Sequence, residues 1–554
     1  MPYELIEGLP STHGDHYPLN TTTLIRHAAR TYPEQEVVYR TGGGDWDRYT
    51  YADCFDRVKR AAKVLRELGV GPGDVVGILD WNSKRHFELY WAIPGLAAVM
   101  LQMNLRLAPT DLGYVTSHSG ASTVLVDESL LSVAEELAPH APGVRTWVVM
   151  SDRPLSEIET SLPNVMHFED LMQTAHADID LPLIEESSAY SACYTSGTTG
   201  KPKGVYYSHR GIYLHAMAQA ATLSMDIEDA VMLITPMFHG QSWGLPQSAV
   251  FSAAKIVLPG RYAASETSVL VETMVAERVT VANGAPAIFQ PMLDHIATMD
   301  DKPDFHRLRL LSGATEPALA MMRGFAELTG ARVVHAYGAT ETTPFVAVNR
   351  SKPVLDSCLT DAERWDLMRS QGLPVCGVDI RLVDAQGNDL PHDGVAQGEV
   401  LVRGPWIIER YHNIADDADR FLDGWWRSGD MGRIDGNGYL KLTDRIKDVI
   451  KSGGEWISSI DMENAIVSHP EVVEAAVIAV PHPQWQERPL ALVVTRDGQE
   501  IPTSVIHRLL ADSFAKWQLP DDIVYVDRLP RTSVGKLDKK ALRAQYAGSA
   551  QLLS

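Results

Sequence analysis

An α/β protein with at least two packed units is the fold that the sequence predicts, and three observations carry that expectation. The chain has 554 residues, 45% of them hydrophobic, which is more than one core usually holds. Short apolar strand-like runs alternate with longer helical patterns along most of its length: DVVGILDW, HFELYWAIPGLAAVML, STVLVDE, TWVVM, AVMLITPM, KIVLP and VTVANG. Near residue 377 the texture changes. GVDIRLVDAQGNDLPHDGVAQGEVLVRGP reads as β-rich with glycine turns, and after DRIKD at 444–448 comes a compact section that includes EAAVIAVPHP and SVIHRLLADSFAKW. The expectation is a large N-terminal domain of packed mixed sheets and helices, 1–446, followed by a small α+β C-terminal domain, 447–554.

Charge and composition exclude several classes. A formal charge of -22 argues against a general nucleic-acid or acidic-membrane surface, because phosphate backbones are held by lysine and arginine. Any anion must therefore meet a local basic site. Cys54, Cys193, Cys358 and Cys376 are far apart and lack zinc-site spacing, which predicts a reducing compartment without a disulfide framework. The start, MPYELIEGLPSTHGDHYPL, lacks a basic stretch followed by an apolar one, and the most apolar internal run is short and holds a proline. The prediction is a soluble cytoplasmic protein with no integral membrane segment. No repeat period or low-complexity tract is visible.

The most informative connection is YTSGTTGKPKG at 194–204. Glycines let backbone N–H groups turn toward a ligand, hydroxyls add donors, and lysine supplies charge for a polyphosphate. It reads as a phosphate cradle, yet GxxxxGK[ST] is absent, so it is not a P-loop. A solvated surface turn would explain the glycines and serines but not the paired lysines.

This stretch resembles the signature loop of the adenylate-forming superfamily, and four further segments follow in that family's order: HAYGATETT at 335–343, WWRSGDMG at 425–432, DRIKDVIKSGGEWIS at 444–458 and PRTSVGKLDKKALR at 530–543. The similarity covers nearly the whole chain. It implies the adenylate-forming fold, a mobile C-terminal domain, and a reaction in which ATP converts a carboxylic acid to acyl-AMP before transfer to coenzyme A.

The resemblance assigns residues as well. Thr195, Ser196, Gly197, Thr198, Thr199, Gly200 and Lys203 would hold phosphates, and Glu341 with Thr195 would hold Mg2+, which prefers oxygen ligands. Gly313, Ala314, Thr315, Ala336, Tyr337, Gly338 and Thr340 would border the nucleotide. Tyr337 offers a face for adenine, Asp430 two acceptors for the ribose hydroxyls, and Arg445 a donor for ribose or phosphate oxygens. Lys536 would bring an ammonium to the reacting carboxylate and α-phosphate, with Glu341 and Thr195 completing the catalytic set. Lys447 matches the pivot of the swinging domain. Gly453 and Gly454 leave room for the pantetheine of coenzyme A, with Lys451 and Trp456 as further contacts.

The acid is read from PMFHGQSWGLP at 236–246 and from the segment beginning GGEWISSIDMENAIVSHPEVVEAAVIAVPHPQWQERPLA. Both resemble medium- and long-chain fatty acyl-CoA synthetases, in which a tryptophan gates an acyl tunnel. His239, Trp243, Gly313 and Gly338 are the expected acyl contacts. Gly240, Gln241 and Ser242 depart from that group's usual Val-Asn-Ala, and Glu316 in LSGATEP stands where an uncharged residue is common. A buried unpaired carboxylate beside an alkyl chain is costly, so either Glu316 points away or the acid is not a simple fatty acid. An aryl or polycyclic acid is the alternative substrate. GQSWG also fits GxSxG, which offers a hydrolase with Ser242 as nucleophile as a remote alternative. Homodimerisation is common among the similar enzymes and is the partner expectation beyond the acid, ATP and coenzyme A.

Overall fold

The computed structural model describes residues 6–14, 16–195, 201–262, 266–415, 417–452, 455–511, 514–531 and 537–546, apart from the side chains of 455 and 456. These residues form four sheets. The first is seven-stranded, in the order Val165–His167, Thr146–Met150, Thr123–Asp127, Val75–Leu79, Val99–Gln102, Ala189–Tyr194 and Gly204–Ser208. Its strands pair in parallel except the last two, which form a hairpin. Val75–Leu79 is buried at every position, as expected of a strand covered on both faces, where alternation with polar residues gives way to a continuous apolar run.

The second sheet is nine-stranded. Its parallel middle joins Arg332–Gly338, Arg309–Ser312, Val281–Gly284, Ala230–Met232, Lys255–Leu258 and Glu36–Arg40. Ser312 lies opposite His335, so the loops leaving these two strands emerge side by side at the carboxyl end, where open α/β sheets place their ligands. A large apolar core that includes Tyr90, Trp91, Tyr190 and Phe345 packs between the sheets.

A third, five-stranded antiparallel sheet, including Gly398–Arg403, Trp425–Ile434 and Leu440–Arg445, follows from the glycine-turn texture after residue 377. The fourth sheet begins with Ile450–Ser452 and includes Val472–His482 and Gln486–Thr495, with helices Ser459–Val467, Thr503–Leu510 and Lys539–Tyr546 against it. Among the described residues no helix is long and apolar enough to cross a membrane.

The run HFELYWAIPGLAAVML divides in two rather than continuing as a helix. Helix Lys84–Ala92 is capped by Ser83, which accepts from His86 N. It stops before Pro94, which lacks an N–H and opens a tight turn closed by a left-handed Ala97. The remaining residues become strand Val99–Gln102.

Four of the buried histidines are His86, His209, His215 and His335. Burial holds them near 4, 4, 3 and 4, below the ordinary 6.5. The unfolded chain takes up these protons near the ordinary value and the folded chain resists until much lower pH. Their contribution to stability is therefore full above 6.5 and shrinks as pH falls toward 4, by up to about 1.4 kcal/mol per pH unit for each group. His215→Leu should flatten the dependence of melting temperature on pH between roughly 7 and 5. Equal slopes in variant and wild type would count against a buried neutral His215.

Candidate active site

The glycine-rich connection sits at the tip of the hairpin formed by Ala189–Tyr194 and Gly204–Ser208, where Tyr194 faces Gly204. Its ends are tied twice. Thr195 N donates to the Lys203 carbonyl at 2.9 Å, and Lys203 N donates to Thr195 Oγ1 at 3.2 Å. Ser196, Gly197, Thr198, Thr199 and Gly200 lie outside the described residues.

Glu341 stands on the turn Thr340–Thr342 that follows strand Arg332–Gly338. Tyr207 Oη donates to the Thr340 carbonyl at 2.8 Å, and Ile408 N donates to the Glu341 carbonyl at 3.1 Å. Tyr207 belongs to the hairpin that carries the glycine-rich loop, so the first of these bonds ties the Glu341 turn to that hairpin. Tyr411 completes the junction: its hydroxyl donates to Glu341 Oε1 at 2.8 Å, and the Lys203 ammonium lies 4.7 Å from its ring centre. Neither tyrosine was singled out by sequence reasoning.

Asp430 and Arg445 are partners across adjacent strands. Asp430 is 5% exposed. Its Oδ2 accepts from Tyr337 Oη at 2.7 Å and its Oδ1 lies 2.8 Å from Arg445 Nε. Tyr337 is itself 9% exposed, and burial together with the Asp430 charge pushes its hydroxyl well above the ordinary value. The aromatic ring therefore stands against the expected ribose carboxylate, with its hydroxyl fixed as a donor.

A local basic site does exist in this acidic chain. Lys447 is lowered from its ordinary value by burial and then by the positive charges of Arg420, Arg445 and Lys203, with Asp448 opposing. Of these cations Arg445 pairs with Asp430 and Lys203 stands over the Tyr411 ring that bonds Glu341, a concentration of positive charge that suits a polyphosphate. For Mg2+ the donor set also fits. Among the described residues no cluster of three or more His, Cys, Asp or Glu could hold a metal unaided. A single carboxylate with a hydroxyl, Glu341 with Thr195, matches an ion that takes most of its oxygens from phosphate and water.

Lys447 lies in the turn between the third and fourth sheets, where Asp448 N and Val449 N donate to the Arg445 carbonyl at 2.8 and 2.9 Å. The turn is braced on both sides. Asp444 Oδ2 accepts from Ser459 N at 2.7 Å, and Arg543 Nη1 lies 2.6 Å from Asp448 Oδ1. Lys451 is exposed, with its backbone N donating to Glu487 at 2.8 Å. Trp456 lies in strand Glu455–Ile457, its side chain not described. Gly453, Gly454 and Lys536 fall outside the described residues.

On the side expected for the acyl group, Gly240, Gln241, Ser242, Trp243 and Gly244 are consecutive residues with φ between 50° and 73°. Left-handed backbone costs roughly 1–2 kcal/mol at each non-glycine position, so the turn needs external support. Ser242 Oγ donates to the Thr235 carbonyl at 2.8 Å, Asn283 Nδ2 donates to the Ser242 carbonyl at 2.7 Å, and Gln219 Nε2 donates to the Trp243 carbonyl at 2.9 Å. This turn lays the Trp243 indole on Gly313, where a Cβ would come within 2.8 Å of Trp243 Cη2. Ala314 and Thr315 beyond it are exposed, Ala336 is buried, Thr340 is half-buried, and His239, also half-buried, precedes the turn.

Ser242 is 0% exposed, which removes it as a hydrolytic nucleophile. A GxSxG elbow exists to present its serine, whereas this one is spent on a buried carbonyl. Glu316 also has an answer. Its side chain turns to Arg369 in an ion pair, and Asn464 Nδ2 donates to the same Oε1 at 3.3 Å. Burial raises its pKa while Arg369 opposes the rise. The carboxylate thus points away with a partner, which removes the objection to an alkyl chain nearby.

Residues 25–412 match the family described as AMP-binding enzyme, and residues 461–536 match the AMP-binding enzyme C-terminal domain. A long-chain-fatty-acid–CoA ligase of Thermus thermophilus is 39% identical over 550 residues, covering 99% of each chain. A 3-methylmercaptopropionyl-CoA ligase of Ruegeria lacuscaerulensis is 37% identical over 96% of this chain and 97% of that one. Among solved structures, the anthranilate CoA ligase AuaEII in complex with anthranoyl-AMP superposes with a TM-score of 0.83 at 23% identity, covering 98% of this chain and all of that one. With both regions matched in order and close relatives aligned end to end, the chain belongs to the AMP-binding enzyme family, on its branch of acid-thiol ligases that work with ATP, Mg2+ and coenzyme A.

Proposed function

We propose that this protein is an ATP-dependent acyl-CoA ligase for a medium- or long-chain fatty acid. The observation that carries the reading is the link from Lys203 through Tyr411 to Glu341, on a turn that Tyr207 ties to the glycine-rich hairpin, together with the Asp430–Arg445 pair. In this reading Lys203, Arg445 and the glycine-rich loop orient the triphosphate, and Asp430 takes the ribose hydroxyls. Lys536 meets the carboxylate as its oxygen attacks the α-phosphorus and pyrophosphate leaves. The thiol of coenzyme A then attacks the acyl carbon and AMP leaves. Mg2+, which Glu341 and Thr195 would hold, would supply neutralisation of phosphate charge. Catalysis is otherwise positioning and fixed charge. The division falls at 446/447, with Lys447 as pivot, and a cytoplasmic location accompanies the reading.

A fatty acid is supported by the fatty-acid ligase among the relatives and by the pairing of Glu316 with Arg369, which leaves that carboxylate partnered. Pyrophosphate release with coenzyme A across straight-chain, aryl and polycyclic acids tests the reading. The expected result is turnover with the straight-chain series, lost in adenylate formation but not in thioester formation from supplied acyl-AMP when Lys536 becomes alanine. A bulky residue at Gly454 should do the reverse. Preference for aryl or polycyclic acids would overturn the substrate class, and no turnover with any acid would overturn the ligase.

A further inference from the structure

We propose that Tyr411 is the positioning residue that sets Lys203 and Glu341 together for nucleotide binding, its ring serving the cation and its hydroxyl the carboxylate. The inference rests on the ligase reading, because it gives those two residues their work. Tyr411 is 5% exposed and belongs to the main core, so packing alone would explain its ring. Packing does not explain where its two ends go.

The hydroxyl donates to Glu341 Oε1 at 2.8 Å and is approached by Trp426 Nε1 at 3.4 Å. The Lys203 ammonium stands over the ring face at 4.7 Å, where the negative face of an aromatic attracts a cation. One rigid side chain therefore sets the spacing between a phosphate donor and a metal ligand.

The backbone around it is fastened to both parts of the site. Ile408 N donates to the Glu341 carbonyl at 3.1 Å, and His412 N donates to the Gly204 carbonyl, next to Lys203, at 2.9 Å. The His412 ring stacks on Tyr206 at 3.9 Å with planes 22° apart, and Tyr411 N donates to Asp417 Oδ2 at 2.9 Å. The segment 408–412 thus bridges the glycine-rich hairpin and the Glu341 turn, and Tyr411 projects from it between them.

Ring and hydroxyl can be separated by substitution. Tyr411→Phe keeps the face for Lys203 and removes the bond to Glu341. Tyr411→Leu removes both. Calorimetric binding of α,β-methylene-ATP to the full chain, with Mg2+ and with EDTA, reads the two contributions apart from turnover. Tyr411→Phe should weaken binding about tenfold with Mg2+ and little with EDTA, whereas Tyr411→Leu should weaken it in both conditions. KM for ATP should rise more than kcat falls in Tyr411→Phe. Equal weakening with and without Mg2+ in Tyr411→Phe, or wild-type affinity in both, would overturn the proposal. Should Tyr411→Leu fail to fold, the Mg2+ dependence of Tyr411→Phe decides alone. Wild-type protein that binds no analogue would overturn the ligase reading along with this one, while wild-type binding with an unaltered Tyr411→Phe would overturn only the role of Tyr411.

Discussion

Glu341→Ala should lower the rate of pyrophosphate release by about 10²- to 10³-fold, an effect of roughly 3–4 kcal/mol on the barrier. The carboxylate stands on a turn whose backbone is held independently of it, by Tyr207 at Thr340 and by Ile408 at the Glu341 carbonyl. Truncating the side chain therefore leaves the turn in place. Its hydrogen-bond partner Tyr411 loses one acceptor, a cost of about 1–3 kcal/mol if the hydroxyl stays dry. The rate effect should exceed the stability effect, and measuring both separates a chemical role from a structural one. A variant that keeps wild-type pyrophosphate release at saturating Mg2+ would remove Glu341 from the site.

Gly338→Ala should be the most damaging glycine-to-alanine change among the described glycines. Gly338 closes strand Arg332–Gly338 opposite Phe345, at a point where the register of the antiparallel pair shifts. A Cβ built there falls 1.5 Å from the Pro344 carbonyl oxygen and 2.5 Å from its carbon. Both are backbone atoms, so no side-chain rotation relieves the clash and the whole 339–344 turn must move. Overpacking of that kind costs at least about 3 kcal/mol, and the displaced turn carries Thr340 and Glu341. Melting temperature and binding of α,β-methylene-ATP should fall together. Gly436→Ala, where an added Cβ meets nothing within 4 Å, is the control and should melt within a degree or two of wild type. Indistinguishable melting of the two variants would overturn the close approach of the Pro344 carbonyl to Gly338.

The sequence made the architecture legible because buried parallel strands write themselves as uninterrupted apolar runs. VVGIL and TWVVM are strands for that reason. The run through Trp91 and Pro94 was harder, since apolar residues buried on all sides show no period that separates helix from strand. The site was legible where local chemistry is dense, as in the glycine-rich loop and HAYGATETT. It was illegible where a residue acts across sequence distance. Tyr411 meets Glu341 70 residues away, and Tyr207 meets Thr340 133 residues away. Neither tyrosine has a local pattern that distinguishes it from core aromatics. Glu316 gave the opposite signal, since its charge was conspicuous but its partner Arg369 lies 53 residues on.

That same glutamate ties two properties that an engineer would wish to vary separately. Glu316 closes the loop that begins at Gly313 under the Trp243 indole, and its carboxylate reaches Asn464 on the first helix of the fourth-sheet section. Redesigning this loop to admit a different acid will also alter how the C-terminal section seats, so selectivity and turnover will shift together unless position 464 is chosen in the same step.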